Sequence, residues 1–363
     1  MKFYMLWLTK VFNSHFTELM KFISSISPKE AYFLSNSDIS SFSLAKDLAE
    51  RILSSKIKDD AKKEFEFCQK GNIQILDITS KDYPYNLLNS PSPPPILYYK
   101  GTLLPKDEIS VSIIGSRKYT EYGKLCTNKF ATELAKAGVT VISGMAYGID
   151  TFAHSYSLKE KGRTIAVLGS GINIIYPEEN EKLYYNIIEN GAVLSEFSIN
   201  TPPISKNFPI RNRIVAGLSL ATLVIEANKK SGTMITARLA AEAGRNVYAV
   251  PGQIFSQSSL GTNLLIKDGA KPATCTLDII EDIYPEISER LPFQKQMSMF
   301  EPTNLSKSES LVYNCLSLTP TNIETIIANV NLPINELNST LTLLEINGYI
   351  KSLPGKQYVI TTK

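Results

Sequence analysis

Cysteine and histidine are scarce in this chain. Its four cysteines, Cys68, Cys126, Cys275 and Cys315, stand far apart with no CxxC pair, and neither His15 nor His154 lies at ligand spacing from them. A zinc site or a disulfide framework needs clustered thiols, so the pattern argues against both and suits a reducing cytosol. No stretch reaches the roughly 18 uninterrupted apolar residues of a membrane helix. Lys10 interrupts the apolar N-terminus and no small-residue cleavage site follows, so no secretory signal is expected. These absences together predict a cytoplasmic location and no membrane partner. Signatures of common nucleotide enzymes are missing too. There is no GxGxxG after the first strand-like run, no acidic residue closing the second, and no GxxxxGK[ST] anywhere. Nor is there a Ser or Cys in an elbow motif, or a carboxylate cluster suited to a metal. No cofactor is expected.

What is present is a soluble-protein composition, 43% hydrophobic and 20% charged, in 363 residues with a net charge of +3. That length predicts two or three domains. Residues 1–82 read as short helices, one of them spanning 44–53, and the run Ser90-Pro91-Ser92-Pro93-Pro94-Pro95 reads as a stiff connector. Apolar runs then alternate with helix-length pieces at 110–114, 139–142, 164–168, 192–194, 221–225 and 246–250. Runs this apolar, without polar alternation, are what strands buried on both faces look like, and helical crossovers between them imply a parallel sheet. The expected architecture is an α/β, extended Rossmann-type, doubly wound and mostly parallel sheet over 83–284. It follows an N-terminal helical domain at 1–82. A polar linker at 285–308 then leads to a winged-helix domain at 309–363, read from three helices and a Pro354-Gly355-Lys356 turn between short strands.

Ligands of open parallel sheets sit outside the carboxyl ends of the strands. Gly115-Ser116-Arg117, Ser143-Gly144, Gly169-Ser170-Gly171 and Lys230-Ser231-Gly232-Thr233 all fall there. Glycine lets backbone approach an anion closely, and the following helix offers unpaired N–H groups. Any one of these turns could serve only to reverse the chain, but four along one rim favour an anion site. Between 201 and 245 the chain carries seven Lys/Arg (Lys206, Arg211, Arg213, Lys229, Lys230, Arg238, Arg245) against Glu226 and Glu242. A local excess of five cations in a nearly neutral protein favours a polyanion. Phe208, between Lys206 and Arg211, has two readings, a base-stacking platform or a core residue, and Tyr119, Tyr122 and Tyr147 share the ambiguity. Asp150 stands where a helix N-cap belongs, with His154 one turn on, and a structural role for the pair outweighs an acid–base one. The winged-helix segment 321–350 has no Lys or Arg but has Glu324, Glu336 and Glu345, which predicts protein contact rather than groove binding.

Many of these blocks occur together, in order, in one family. The chain resembles the DNA-processing protein A family (DprA, also called Smf) from about Tyr83 to Ile280. The likeness lies in Gly115-Ser116-Arg117, Ser143 through His154, Tyr176-Pro177, Ser195-Glu196-Phe197, Phe208 to Gly217, Ser231-Gly232-Thr233, Ala249-Val250-Pro251-Gly252 and Gly261 to Ala270. The resemblance implies a non-enzymatic, homodimeric binder of single-stranded DNA that loads the recombinase RecA during natural transformation (competence). It assigns the DNA pocket to Arg117, Lys206, Phe208, Arg211, Arg213 and Lys230 with the Ser231-Gly232-Thr233 turn, and Gly115, Ser116, Ser143, Gly144 and Asn212 stand beside them as further DNA-binding candidates. On that reading Arg117→Ala and Arg211→Ala should each weaken binding without unfolding the chain. Two departures stand out: Ser198 replaces the expected proline after Ser195-Glu196-Phe197, and the N-terminal region has no clear helix-hairpin-helix glycine turn. The alternative is a phosphoribohydrolase-type enzyme on nucleoside monophosphates. Here, however, Met234-Ile235-Thr236 stands where that enzyme's catalytic glutamate would follow the Ser-Gly-Thr turn.

Overall fold

The computed structural model describes residues 1–290 apart from positions 14 and 43, then 305–316, 321–330 and 332–360. These residues form two compact units, 1–274 and 275–363.

The first unit is built on a nine-stranded sheet. Its strands are β1 (Gln74–Asp77), β2 (Ile96–Gly101), β3 (Ser110–Ile114), β4 (Thr140–Ser143), β5 (Thr164–Val167), β6 (Ala192–Ser195), β7 (Ala221–Val224), β8 (Asn246–Ala249) and β9 (Lys271–Pro272), in the order β1-β2-β6-β5-β4-β3-β7-β8-β9. From β6 to β9 every pairing is parallel, and β1 and β2 add on antiparallel beyond β6. The five strands β3 to β7 are buried at every residue, which is why their sequences show no alternation.

Connection handedness then places the helices. From β3 to β6 the chain steps one way across the sheet, and from β7 to β8 it steps the other way. Right-handed crossovers therefore put the two sets of helices on opposite faces. Helices Glu121–Lys136, Ile149–Lys159 and Glu181–Asn190 pack in succession on one face, while Asn207–Leu218 and Gly232–Glu242 pack together on the other. The step reverses between β3 and β7, so the loops leaving these two strands diverge and open a crevice at the carboxyl edge.

The packing break expected near residue 82 is absent. Helix Lys2–Phe12 buries Met5, Leu6, Trp7, Leu8, Val11 and Phe12, and one hydrophobic cluster runs from Met5 through Leu97 to Ala249. A helix apolar all round is an interior element, and this one packs against the other N-terminal helices and against β1 and β2. A buried carboxylate reinforces the junction. Glu64 pairs with Lys10, accepts the Tyr98 hydroxyl at 2.7 Å and accepts the Ile199 N–H at 3.0 Å. The expected linker is displaced as well. Helix Leu277–Arg290 runs through its start at 285, and 291–304 lies outside the described residues.

The second unit includes helices Lys307–Tyr313, Ile323–Asn329 and Ile334–Ile346. With them is a three-stranded sheet of β10 (Thr321–Asn322), β12 (Gln357–Ile360) and β11 (Ile350–Leu353), in that order. Val312, Ile326, Leu337, Leu341, Leu344 and Ile350 form its own core. This is the winged-helix order, and the turn between its last two strands has Gly355 at φ +84°.

Removing the Glu64 carboxylate takes an acceptor from the buried Tyr98 hydroxyl and from the Ile199 N–H, and a counter-charge from Lys10. Glu64→Ala should therefore destabilise the first unit by about 3 kcal/mol in urea denaturation, and a loss under about 1 kcal/mol would contradict this junction.

Candidate functional site

The carboxyl rim of the sheet brings together loops that are distant in sequence. After β3, the Ser116 hydroxyl accepts the Lys118 N–H at 3.0 Å and donates to the Lys118 carbonyl at 2.8 Å, closing a tight turn with Arg117 exposed at its tip. Thr233, in the first turn of helix Gly232–Glu242, donates to the Gly115 carbonyl at 3.1 Å and so joins the β7 loop to the β3 loop. Buried Glu226, just past β7, accepts both the N–H and the hydroxyl of Thr120, the N-cap of helix Glu121–Lys136. The rim is thus held by three cross-loop ties before any ligand is considered.

Beneath it lies a buried guanidinium. Arg211 is 3% exposed and donates from Nη1 to the carbonyls of Gly144 and Val167, at the ends of β4 and β5. Its Nε donates to Asn212 Oδ1 at 3.2 Å. A Cβ on Gly144 would come within 2.5 Å of Arg211 Nη2 and 2.7 Å of Asp150 Oδ2, so only glycine admits this packing. Burial lowers the Arg211 pKa to about 10 against the attraction of Asp150. Burial likewise raises Asp150, with Arg211 opposing. Phe208, one helical turn before Arg211, is half-buried over Gly169, where a Cβ would meet the ring at 2.9 Å. The Arg117 guanidinium lies 5.1 Å from the Phe208 ring centroid, that of Arg211 5.9 Å, and Tyr176 packs at 5.6 Å.

The sequence-derived residues therefore divide. Arg117 and Phe208 meet. Lys206 is exposed at the start of the Phe208 helix, Lys230 and Gly232 are exposed past β7, and Ser231 is half-buried as the N-cap of its helix. Neither Lys206 nor Lys230 forms an ion pair among the described residues. Gly115 and Ser116 shape the Arg117 turn. Ser143 and Gly144 are buried beneath the surface, Ser143 donating to the Ile113 carbonyl at 2.7 Å. Arg211 bonds the Asn212 side chain and, from below, the rim carbonyls of Gly144 and Val167. Arg213 sits about 200° around the helix from Arg211. It pairs there with Glu196 at 2.6 Å, and burial raises the Glu196 pKa against the pull of Arg213. Two of the three arginines expected to be free for phosphate thus have internal partners. Glu196 and Tyr176 are the neighbours that residue types alone did not assign to the site. The only signal for Glu196 was an acid placed directly after a buried strand.

Asp150 is not the N-cap. Gly148 holds that position at φ +81°, and Asp150 is the second residue of the helix, turned inward to Arg211. His154 is fully buried, its Nδ1 2.6 Å from the Thr164 hydroxyl and its Nε2 unpaired, and burial drives its pKa to about 3. Ser198 stands in a pinned loop, its carbonyl accepting the Thr201 N–H at 3.2 Å and hydroxyl at 2.6 Å.

Comparison with known proteins then settles the family. Residues 74–284 match DNA recombination-mediator protein A. The chain belongs to that family. Residues 300–356 match the DprA winged helix domain, in agreement with the second unit. Among curated relatives of this recombination-mediator chain, Protein Smf of Synechocystis is 36% identical over 321 residues, covering 80% of this chain and 81% of the relative. DNA processing protein DprA of Bacillus subtilis is 41% identical over 224 residues, 61% of this chain and 74% of the relative. Among solved structures, DprA of Streptococcus pneumoniae aligns with a TM-score of 0.67 at 31% identity, covering 77% of this chain and 97% of that one. DprA of Helicobacter pylori, described by its single-stranded DNA binding mode, aligns with a TM-score of 0.53 at 32% identity, covering 59% and 96%. Membership places the chain among recombination mediators and not among enzymes.

The buried histidine supplies a test of how the helix after β4 packs on the sheet. Its folded pKa of about 3 lies below the unfolded value of about 6.5, so the folded state binds fewer protons between these values. The stability His154 contributes is fully present above pH 6.5 and is lost as pH falls toward 3, by up to about 1.4 kcal/mol per pH unit. Urea titrations of wild type and His154→Gln at pH 7.5 and pH 5 should show a shallower acid-side decline in the variant. Parallel declines would place the ring in a wetter site.

Proposed function

We propose that the carboxyl rim binds single-stranded DNA, with Arg117, Lys206 and Lys230 contacting phosphates and Phe208 receiving an unstacked base. The observation that carries this reading is the approach of the exposed Arg117 guanidinium to the half-buried Phe208 ring, 5.1 Å from its centroid, at the sheet edge where the strand order reverses. A cation over an aromatic beside a charged groove suits an unpaired strand, because each base has a π-face to stack and each phosphate a charge to neutralise. The single-stranded DNA binding mode of the Helicobacter pylori relative supports the same ligand class. Ser231, Gly232 and Thr233 would offer backbone N–H groups to a phosphate, with Gly115 and Ser116 shaping the opposite bank. Ser143, Gly144, Arg211, Asn212 and Arg213 act from below as supports. On the family's pattern, we extend the proposal to a homodimer in the cytoplasm that passes the strand to RecA in natural transformation and recombination.

The proposal separates two arginines that sequence alone treats alike. Arg117→Ala should weaken binding of a fluorescent oligothymidylate several-fold, lower the slope of log K against log salt by about 0.7, and leave unfolding unchanged. Arg211→Ala removes a buried charge from its carbonyl partners and strands Asp150, so it should lower stability by about 3 kcal/mol or more. Anisotropy titrations at several salt concentrations, paired with urea melts, check both. Normal affinity in a folded Arg117→Ala protein would exclude this rim as the DNA site.

A further inference from the structure

We propose that the loop after β8 carries a second base-stacking subsite, formed by Phe255 with Ile254 beside it, at the end of the rim away from Phe208. This inference rests on the single-strand reading above and extends the strand's path across the sheet.

Phe255 is 93% exposed and Ile254 72%, and Phe255 is the most exposed large apolar side chain among the described residues. Their exposure does not come from a loosely held loop. Tyr122 donates its hydroxyl to the Pro251 carbonyl at 2.8 Å, and Gly252 exchanges two hydrogen bonds with the Asn263 side chain at 3.2 and 3.0 Å. The Ser256 N–H closes a turn onto the Gln253 carbonyl at 3.0 Å, leaving the two apolar residues at its tip. A firmly held aromatic loses little freedom on stacking a base, which suits it to single-strand contact.

Its neighbours favour nucleic acid over protein. Ala227 donates to the Ser258 carbonyl and accepts the Gly261 N–H, both at 2.8 Å, so the base of the tip is tied to the chain two residues before Lys229 and Lys230. Both lysines are exposed and neither ion-pairs among the described residues. The segment 250–260 itself carries no charge. The tip thus joins an exposed aromatic to a segment that leads into two unpaired cations, without the direct cation–ring contact that Arg117 makes with Phe208. Phe208 lies over the end of β5 and the tip follows β8. In the order β5-β4-β3-β7-β8 that is four strand spacings, roughly 19 Å at about 4.8 Å each. A strand of a few nucleotides would reach one platform, and only a longer one would reach both.

The test uses the full chain and oligothymidylates of about 3 and about 15 nucleotides, the shorter spanning only about 14 Å even if each step opens to roughly twice the ~3.4 Å of a stacked strand. Phe255→Ala should weaken the long oligonucleotide roughly five-fold or more and leave the short one unchanged, whereas Arg117→Ala should weaken both. Phe255→Trp adds a reporter in a protein whose one other tryptophan, Trp7, is fully buried, and its emission should be quenched by the long oligonucleotide only. If Phe255→Ala binds both lengths normally while Arg117→Ala is impaired, the subsite is wrong and the rim stands. If both variants bind normally, the single-strand reading falls with it. A change of sedimentation coefficient in DNA-free Phe255→Ala would instead assign the tip to contact between copies of the chain and overturn the proposal.

Discussion

The rim depends on one buried guanidinium. Taking a charge out of water costs several kcal/mol unless hydrogen bonds and a counter-charge replace the lost hydration. Arg211 finds two strand-end carbonyls, the Asn212 side chain and the nearby Asp150 carboxylate. Apart from Asn212, those groups belong to the carboxyl ends of β4 and β5 and to the helix that follows β4, whereas Arg211 belongs to the helix that follows β6. Satisfying the charge therefore fixes that helix against the sheet edge and sets Phe208 over Gly169. The same requirement explains why a side chain is excluded at Gly144, since its Cβ would occupy the space the ion and its counter-ion share.

Charge counting along the sequence marked a net positive stretch whose members the structure divides. Of the seven cations between 201 and 245, Arg211 is buried, Arg213 pairs with Glu196 and Arg238 with Glu242, and Arg245 bonds the carbonyls of Asn86 and Gly217. Lys206, Lys229 and Lys230 remain exposed, and Arg117 joins them from outside that window. The ionic partners were invisible beforehand for a physical reason. Glu196 and Asp150 lie 17 and 61 residues from the arginines they serve, and only the closed sheet brings them within a few ångströms. Asp150 lies on the arginine's side of the helix because Gly148, not Asp150, takes the cap.

The sheet was legible because strands buried on both faces announce themselves as unbroken apolar runs. β3 to β8 fall within a residue or so of where those runs lie. β1 and β2 escaped notice because neither is an unbroken apolar run of the kind that marks the parallel strands. Gln74-Ile75-Leu76-Asp77 is short and polar at both ends, and Ile96-Leu97-Tyr98-Tyr99-Lys100-Gly101 follows a proline run that reads as connector. Once these two strands extend the sheet, they present a surface that helix Lys2–Phe12 can cover. The N-terminal helices then share the hydrophobic cluster of the sheet instead of forming a core of their own.

The distribution of charge also bears on which form of DNA the chain would take. A winged helix that reads a duplex places cations on its recognition helix, yet the exposed face of Ile334–Ile346 offers Asn335, Glu336, Asn338 and Glu345 and no Lys or Arg. A groove lined with phosphates would repel it. The rim offers the opposite combination: cations at the edge and a phenylalanine whose face is half-covered by Arg117 and Tyr176. In a duplex the base faces are occupied by their neighbours, so only a strand free to unstack could use that ring. Discrimination between one strand and two would then arise from where an aromatic is placed, with no need to read any base edge.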